Sequence, residues 1–268
     1  MLFAPGSDER KLAHAFETEA DAIVADLEDA VISGEKEAAR ATIERVFGKA
    51  TDGPARFIRV NGLDTQYFDD DLAFLAKVPL DGVVMPKATP AAVAAVAAAG
   101  LPILAIVETA MGVRLAYEIA SSPGVFALLL GAVDLGVELG LETRPDGLEL
   151  QYFRSKLVVD SAAAGNRPPF DCVHLALHDT QGLAEQARLA RGLGLRGKAC
   201  IHPAQVAVVN DQFGPSPDEL EWARGALAAA AAGAADGRGA VAFNGAMIDA
   251  PMLVRAQRIV EESQAHGD

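Results

Sequence analysis

Eight short apolar runs, separated by stretches that carry helix punctuation, constrain this chain more than any other feature. They are "LFA" at 2, "AIVADL" at 22, "RFIRV" at 56, "GVVMP" at 82, "ILAIV" at 103, "FALLLG" at 126, "CVHLAL" at 172 and "KACI" at 198. Most lack the polar alternation of a half-exposed strand and read as strands buried on both faces. The punctuation between them is clearest in "TPAAVAAVAAAG", where Thr89 caps, Pro90 occupies the first turn and Gly100 ends the helix. Strands alternating with helices imply a parallel sheet, and eight such units within about 200 residues predict a (β/α)8 TIM barrel rather than an open sheet.

The chain has 268 residues, more than a closed barrel needs. Residues 1–215 are expected to form the barrel and 216–268 a C-terminal helical extension and lid belonging to the same domain. In that extension Ser216 and Glu219 match a capping box with Pro217 at the first helical position, and the Ala/Gly-rich stretch 225–240 is expected to end the helix. "AMIDAPMLVRAQRIVEESQ" then begins a second amphipathic helix after Pro251.

Asp and Glu number 37 against 23 for Lys and Arg, a formal charge of −14 that repels phosphate backbones and argues against nucleic acid as a partner. No apolar run approaches the roughly 20 residues of a membrane span. The N-terminal "MLFAPGSDERK" lacks a basic region followed by an apolar one, so a soluble cytoplasmic protein is expected, with no membrane partner. Cys172 and Cys200 have neither CxxC nor zinc spacing and read as small buried residues.

In a parallel barrel the residues just after each strand form the C-terminal mouth, where catalytic groups of this fold gather. Those positions hold Glu28 and Asp29, Arg59 and Asn61, Lys87, Glu108, Asp134 and His202. Glu108 ends a wholly apolar run, and burying an unpaired carboxylate costs several kcal/mol, so it must have a partner. Glu108 and Asp134 end adjacent strands, about 4.8 Å apart in a sheet, and two such oxygen ligands are a usual way to hold Mg²⁺. Ala110, Gly112, Gly131 and Gly136 leave room beside them for substrate. The competing reading is an ion pair between Glu108 and Arg114. "GLGLRG" at 192 follows a helix and precedes a strand, the reverse of the nucleotide-binding order, and reads as a turn. His174 and His178 read as packing residues, and His202 as a brace at the mouth.

"LFAPG", "DLEDAV", "FIRVNG", "VVMPK", "IVETAMG", "LLLGAVDLG" and "IHPAQV", in this order from residue 2 to roughly 260, closely resemble the citrate lyase beta-subunit-like branch of the HpcH/HpaI aldolase and citrate lyase family. The resemblance implies a Mg²⁺-dependent lyase that splits a 3-hydroxyacyl thioester, such as citryl-, malyl- or citramalyl-CoA, into an acetyl thioester and a 2-oxo acid. By motif, Glu108 and Asp134 match the metal ligands and Arg59 the substrate-contacting arginine, which would stabilise an enolate. Glu28 and Asp29 match acidic residues behind the metal's water shell. Arg10 and Lys11 fall near the cationic positions for the phosphates of CoA or an acyl carrier, although this chain inserts "SDE" before them. "GAMIDAPML" resembles the family's C-terminal lid, which covers the mouth of an adjacent protomer; on that reading Asp249 protonates the enolate and the protein is a homotrimer or hexamer. Asp249 capping the last helix is the plainer alternative. Two other functions compete: a class II pyruvate aldolase acting on free hydroxy-oxo acids, and a thioester-binding subunit that works only with partners.

Overall fold

The computed structural model describes residues 1–49, 53–235 and 239–265, and in it six of the eight runs form one parallel sheet in chain order. The strands are β1 (Leu2–Pro5), β2 (Ala22–Asp26), β3 (Ala55–Arg59), β4 (Gly82–Met85), β5 (Ile103–Val107) and β6 (Val125–Leu130). All residues of β2, β4 and β5 are buried, as expected where helices cover one face and the barrel interior the other.

The sheet does not end at β6. Leu129 bridges Phe170, Asp171 bridges Lys198 and Cys200 bridges Leu2, all in parallel. Backbone bonds carry the ring round: Phe170 N–H donates to Leu128 O (2.9 Å), Ala199 N–H to Asp171 O (2.9 Å) and Phe3 N–H to Cys200 O (2.8 Å). Two very short strands at 170–171 and 198–200 therefore close an eight-stranded (β/α)8 barrel and remove both sheet edges.

The seventh strand differs from its expected place. The apolar residues from Cys172 onward make no ladder; pairing occurs at Phe170 and Asp171, just before them. Asp171 is a charge inside a strand, tolerated because Arg154 and Lys198 neutralise it in the barrel wall.

Side chains inside the barrel follow the strand period of two. Val24, Val84, Leu104, Ile106, Ala127, Leu129 and Ala199 form one buried cluster with Phe3, Phe57 and Val173 against it. Each large aliphatic side chain removed from water in this way contributes about 1.5–3 kcal/mol. The expected helix after β4 forms at Pro90–Val96, with Thr89 Oγ1 accepting from Ala92 N–H (3.1 Å), a short 3-10 turn following and Gly100 closing it.

The barrel lies in a compact unit spanning Met1–Val209, and Asn210–Asp268 forms a second. The second unit contains a helix at Pro217–Ala235 and another at Ala250–Ala265, packed over Ala223, Ala226, Ile248, Ala256 and Ile259. The capping box is present: Ser216 N–H donates to Glu219 Oε2 (2.9 Å) and Glu219 N–H to Ser216 Oγ (3.2 Å). The helix continues through Ala235, and the part of the helix-ending stretch at 236–238 lies outside the described residues. Between the two helices lies an antiparallel hairpin, Val241–Phe243 with Ala246–Ile248, whose second strand takes in the start of "GAMIDAPML". Its turn is Asn244–Gly245, both at positive φ (47° and 77°), the pair that a two-residue hairpin turn with left-handed backbone demands.

Candidate active site at the barrel mouth

Two residues above the apolar floor, the interior positions become charged. Val24 is followed by Asp26, Phe57 by Arg59 and Ile106 by Glu108, so the strand period itself raises these side chains into the top layer of the barrel. There they line a cavity of about 320 Å³ together with Asp29 and Asp134.

Arg59 is fixed first. Its Nε and Nη2 donate to Asp26 Oδ1 and Oδ2 (2.6 and 2.7 Å), a bidentate pair across the β2–β3 register. Asp26 also accepts from the backbone N–H of Glu28 and of Ala30 (both 2.9 Å). Burial works to raise the Asp26 carboxyl, but the Arg59 guanidinium and these N–H groups outweigh it and hold it below its ordinary value. Arg59 is correspondingly raised against the cost of its own burial and stays charged at every working pH.

Glu28, 6% exposed, stands between two cations. Its Oε1 accepts from Lys87 Nζ (2.5 Å), and its Oε2 lies 3.0 Å from Arg59 Nη1 as an ion pair without hydrogen-bond alignment. Burial raises this carboxyl even so, with the charges of Arg59 and Lys87 opposing. Lys87 has a backbone φ of 46°, rare for a side chain with a Cβ and costing on the order of 1–3 kcal/mol. That conformation turns its N–H onto Glu108 Oε1 (2.7 Å) while Nζ reaches Glu28 and stands 3.6 Å from Asp134 Oδ2.

Glu108 thus finds a partner in a backbone N–H rather than in Arg114, which is exposed. Burial pushes its carboxyl up to about 7, with the Lys87 N–H opposing and the charge of Glu28 adding. The facing residue must be glycine: a Cβ on Gly131 would stand 2.4 Å from Glu108 Cβ and 2.6 Å from its Oε2. Asp134 sits in the first turn of the helix Ala132–Leu139, where the helix dipole favours a carboxylate. Among the described residues no three Asp, Glu, His or Cys side chains converge into a metal-binding group. Two hard carboxylates, one of them buried with an oxygen that takes no hydrogen bond from the described residues, fit a Mg²⁺ that keeps water or substrate in its other positions.

The site rests on a network that does not line the cavity. Lys36 Nζ donates to the carbonyls of Leu27 and Glu28 (both 2.7 Å) and to Asn61 Oδ1 (2.8 Å). Asn61 donates from N–H and Nδ2 to Asp71 Oδ2, and Arg40 closes the chain on Asp71 Oδ1 (2.6 Å).

Asp26, Lys36 and Asp71 are the residues that sequence reasoning missed, and Lys87 was seen at the rim without a role. Only Asp26 had a signal, a charge in phase with the interior of its strand. Arg10 and Lys11 line a different, larger groove of about 830 Å³ with His14 and His202. Phe3, Ala4, Pro5 and Ile201 line both, so the groove and the mouth cavity share a wall. Asp249 belongs to the second unit, where its Oδ1 accepts from Met252 N–H (3.4 Å) and its carbonyl from Leu253 N–H (3.0 Å), capping the last helix.

Comparison with known proteins agrees with this geometry. Residues 1–203 match the family model described as HpcH/HpaI aldolase/citrate lyase. The chain is 41% identical over 273 residues to a citrate lyase subunit beta-like protein of Deinococcus radiodurans, covering 97% of this chain and 95% of that one. It is 37% identical over 269 residues to a (3S)-malyl-CoA thioesterase of Cereibacter sphaeroides, covering 99% and 94%. Among solved structures, CitE from Mycobacterium tuberculosis, crystallised with magnesium, acetoacetate and coenzyme A, superposes with a TM-score of 0.87 at 34% identity, covering 98% of this chain and 97% of that one. With the motifs, the closed barrel and the acidic mouth all in agreement, the chain belongs to the HpcH/HpaI aldolase/citrate lyase family.

Proposed function

We propose that this protein is a Mg²⁺-dependent carbon–carbon lyase that cleaves a 3-hydroxyacyl thioester to an acetyl thioester and a 2-oxo acid. The observation that carries the reading is the shared wall between two cavities: one holds Glu108, Asp134 and an Arg59 locked by Asp26, the other holds Arg10 and Lys11. A thioester substrate needs both, a small polar chamber for the acyl group and a longer cationic groove for the phosphates of CoA or a carrier arm.

Cleavage breaks the bond between the carbinol carbon and the carbon beside the thioester. The electron pair moves onto the thioester oxygen as an enolate, and the carbinol oxygen releases its proton to solvent water as it becomes the carbonyl of the oxo acid, a proton balanced by the one later given to the enolate carbon. Arg59 faces the developing enolate oxygen, and its pairing with Asp26 means that no reorientation is needed as charge appears. Glu108 and Asp134 would hold the Mg²⁺, with Asp29 beside them in the cavity lining and Glu28 paired behind it to Arg59 and Lys87. When bound, the ion supplies Lewis-acid polarisation of the carbinol oxygen and chelation of the neighbouring carboxylate. Asp249, carried on the second unit of an adjacent protomer, delivers a proton to the enolate carbon. The working assembly is a homotrimer or hexamer in the cytoplasm; among the described residues no helix is long and apolar enough to cross a membrane.

The test is product analysis on the purified chain with Mg²⁺ and malyl-, citramalyl- and citryl-CoA. Acetyl-CoA plus a 2-oxo acid is the expected result. Turnover of free hydroxy-oxo acids alone would make it an aldolase, and no turnover without added subunits a partner-dependent component. The relationship to a malyl-CoA thioesterase supports one second reading, hydrolysis; it would release malate and free CoA thiol with no acetyl-CoA. Co-assembly of inactive Asp249→Ala and Glu108→Ala chains restores activity only if one site draws on two protomers.

A further inference from the structure

Glycines aside, Lys87 and Asn244 are the described residues with positive φ, at 46° and 47°. Asn244 sits in the tight turn of the hairpin, and asparagine visits the left-handed region readily. Lys87 stands just past the end of β4, where a glycine would take the same backbone without crowding a Cβ against a carbonyl. A lysine in that conformation needs something to hold it there. Its own side chain does so. Nζ donates to Glu28 Oε1 (2.5 Å) and stands 3.6 Å from Asp134 Oδ2, which ties the ammonium to the carboxylates after β2 and in the helix Ala132–Leu139.

The backbone turned in this way aims its N–H at Glu108 Oε1 (2.7 Å). Oε2 is left on the side of Gly131, which lines the mouth cavity with Glu108 and Asp134, whereas Lys87 does not line it. We infer that Lys87 is a positioning residue for the metal site: its side chain, anchored on Glu28, holds a left-handed backbone whose N–H fixes one oxygen of Glu108 and turns the other toward the cation. This rests on Glu108 and Asp134 being the ligands. The charge of Lys87 acts the other way, since an ammonium so close to Asp134 repels a divalent cation. Conformation and charge therefore push Mg²⁺ affinity in opposite directions.

Two variants separate them. Lys87→Ala and Lys87→Gly both lose the ammonium, but only glycine takes the left-handed backbone freely. Calorimetric titration of the full-length proteins with MgCl2 should show the glycine variant binding about 5- to 30-fold more tightly than the alanine variant. Equal affinities, or tighter binding by the alanine variant, would reduce Lys87 to a charge near the site and overturn the inference. Glu28→Gln should weaken Mg²⁺ binding more in the protein that keeps Lys87 than in the Lys87→Gly protein. Equal losses would show that the anchor does not act through this backbone. A metal-free readout uses amide exchange at residue 87 with chelator present, measured against the free-peptide rate. The unsubstituted and Lys87→Gly proteins should be protected and Lys87→Ala less so by about the same factor as in the titration; equal protection in all three would overturn the inference. If the unsubstituted protein takes up no Mg²⁺, the ligand reading fails, and the order of amide protection still decides whether the ammonium holds the backbone on Glu108.

Discussion

The barrel contains two charged clusters that differ in almost every physical respect. In the wall, Arg154, Asp171 and Lys198 are each 0% exposed. Asp171 accepts from Arg154 Nε (2.8 Å), Arg154 Nη2 (3.1 Å) and Lys198 Nζ (2.6 Å), so both of its oxygens are satisfied. Burial works to raise its carboxyl, but the charges of Lys198 and Arg154 outweigh it and hold it low. The adjacent Cys172 thiol is pushed up to about 11, chiefly by burial, and is inert. At the mouth the acids outnumber the cations, Glu28 and Glu108 are raised rather than lowered, and Lys87 holds a strained backbone. A cluster whose charges are paired and sealed holds structure. One with raised carboxylates, of which Glu108 lines a cavity, is suited to take up a cation or a proton.

The wall cluster also stands where the ladder is thinnest. The strands at 170–171 and 198–200 are joined by one bridge, and Asp171 ties both to the helix Gln151–Ala163. The largest effect we expect is therefore on stability. Asp171→Ala leaves two buried cations unpaired and should cost about 3–5 kcal/mol, read by denaturant unfolding, with the activity per folded molecule little changed. A loss below about 1 kcal/mol would show that the two clusters do not divide the labour in this way.

Arg59→Lys tests the other side of the comparison. The charge survives but the planar fork that holds Asp26 and faces the cavity does not, so kcat should fall by about 10²–10³-fold while the unfolding midpoint stays close to that of the parent. Near-normal turnover would remove Arg59 from the proposed enolate contact.

The two clusters should also respond to pH in opposite directions. Asp171 is depressed in the folded state, so its contribution is present above its unfolded value and is lost as pH falls through the folded one, in the acid range below about 4. Glu108 is raised, so the folded protein holds its proton more tightly than the unfolded chain does. Its contribution is present below 4.5 and is lost as pH rises toward about 7. With magnesium removed by a chelator, stability should decline by about 1–3 kcal/mol across that interval, and Glu108→Gln should flatten the slope. An unchanged slope in the variant would assign the decline elsewhere.

How legible these clusters were in the sequence follows from their geometry. Glu108, Asp134, Glu28 and Arg59 stood out because each ends an apolar run, and in a barrel run ends share one rim. Seven strands were found by their apolar runs, the eighth among them, since "KACI" falls on the pairing residues Lys198–Cys200. Asp171 hid the seventh strand, since a charge at the pairing position breaks the apolar signal, and its partners lie 17 and 27 residues away. The hairpin did have a local signal in Asn244–Gly245, overlooked because the flanking runs are short and partly exposed. Lys36 and Asp71 had none: each is one charge among several, Lys36 between Glu35 and Glu37 and Asp71 the last of three aspartates, and only tertiary folding brings them to Asn61.

The network around Lys36 is the case that divides the comparison most finely, because it is built like the wall cluster yet touches the mouth. Lys36 is 7% exposed and Asp71 0%, their hydrogen bonds are short, and neither lines the cavity. Two of the three donors of Lys36 nevertheless hold the carbonyls of Leu27 and Glu28, the backbone from which the Glu28 carboxylate reaches Lys87 and Arg59. If the network were only structural, Lys36→Met would lower the unfolding midpoint and leave the kinetics of the folded fraction alone. If it positions Glu28, the loosened turn should also raise the Mg²⁺ concentration needed for half-maximal activity and reduce kcat, by about 10- to 30-fold together, the scale on which groups behind a metal site act. KM for the thioester should change much less, since the groove bearing Arg10 and Lys11 is formed by other elements. A folded Lys36→Met protein with unaltered magnesium dependence and kcat would return this network to the wall's side of the comparison.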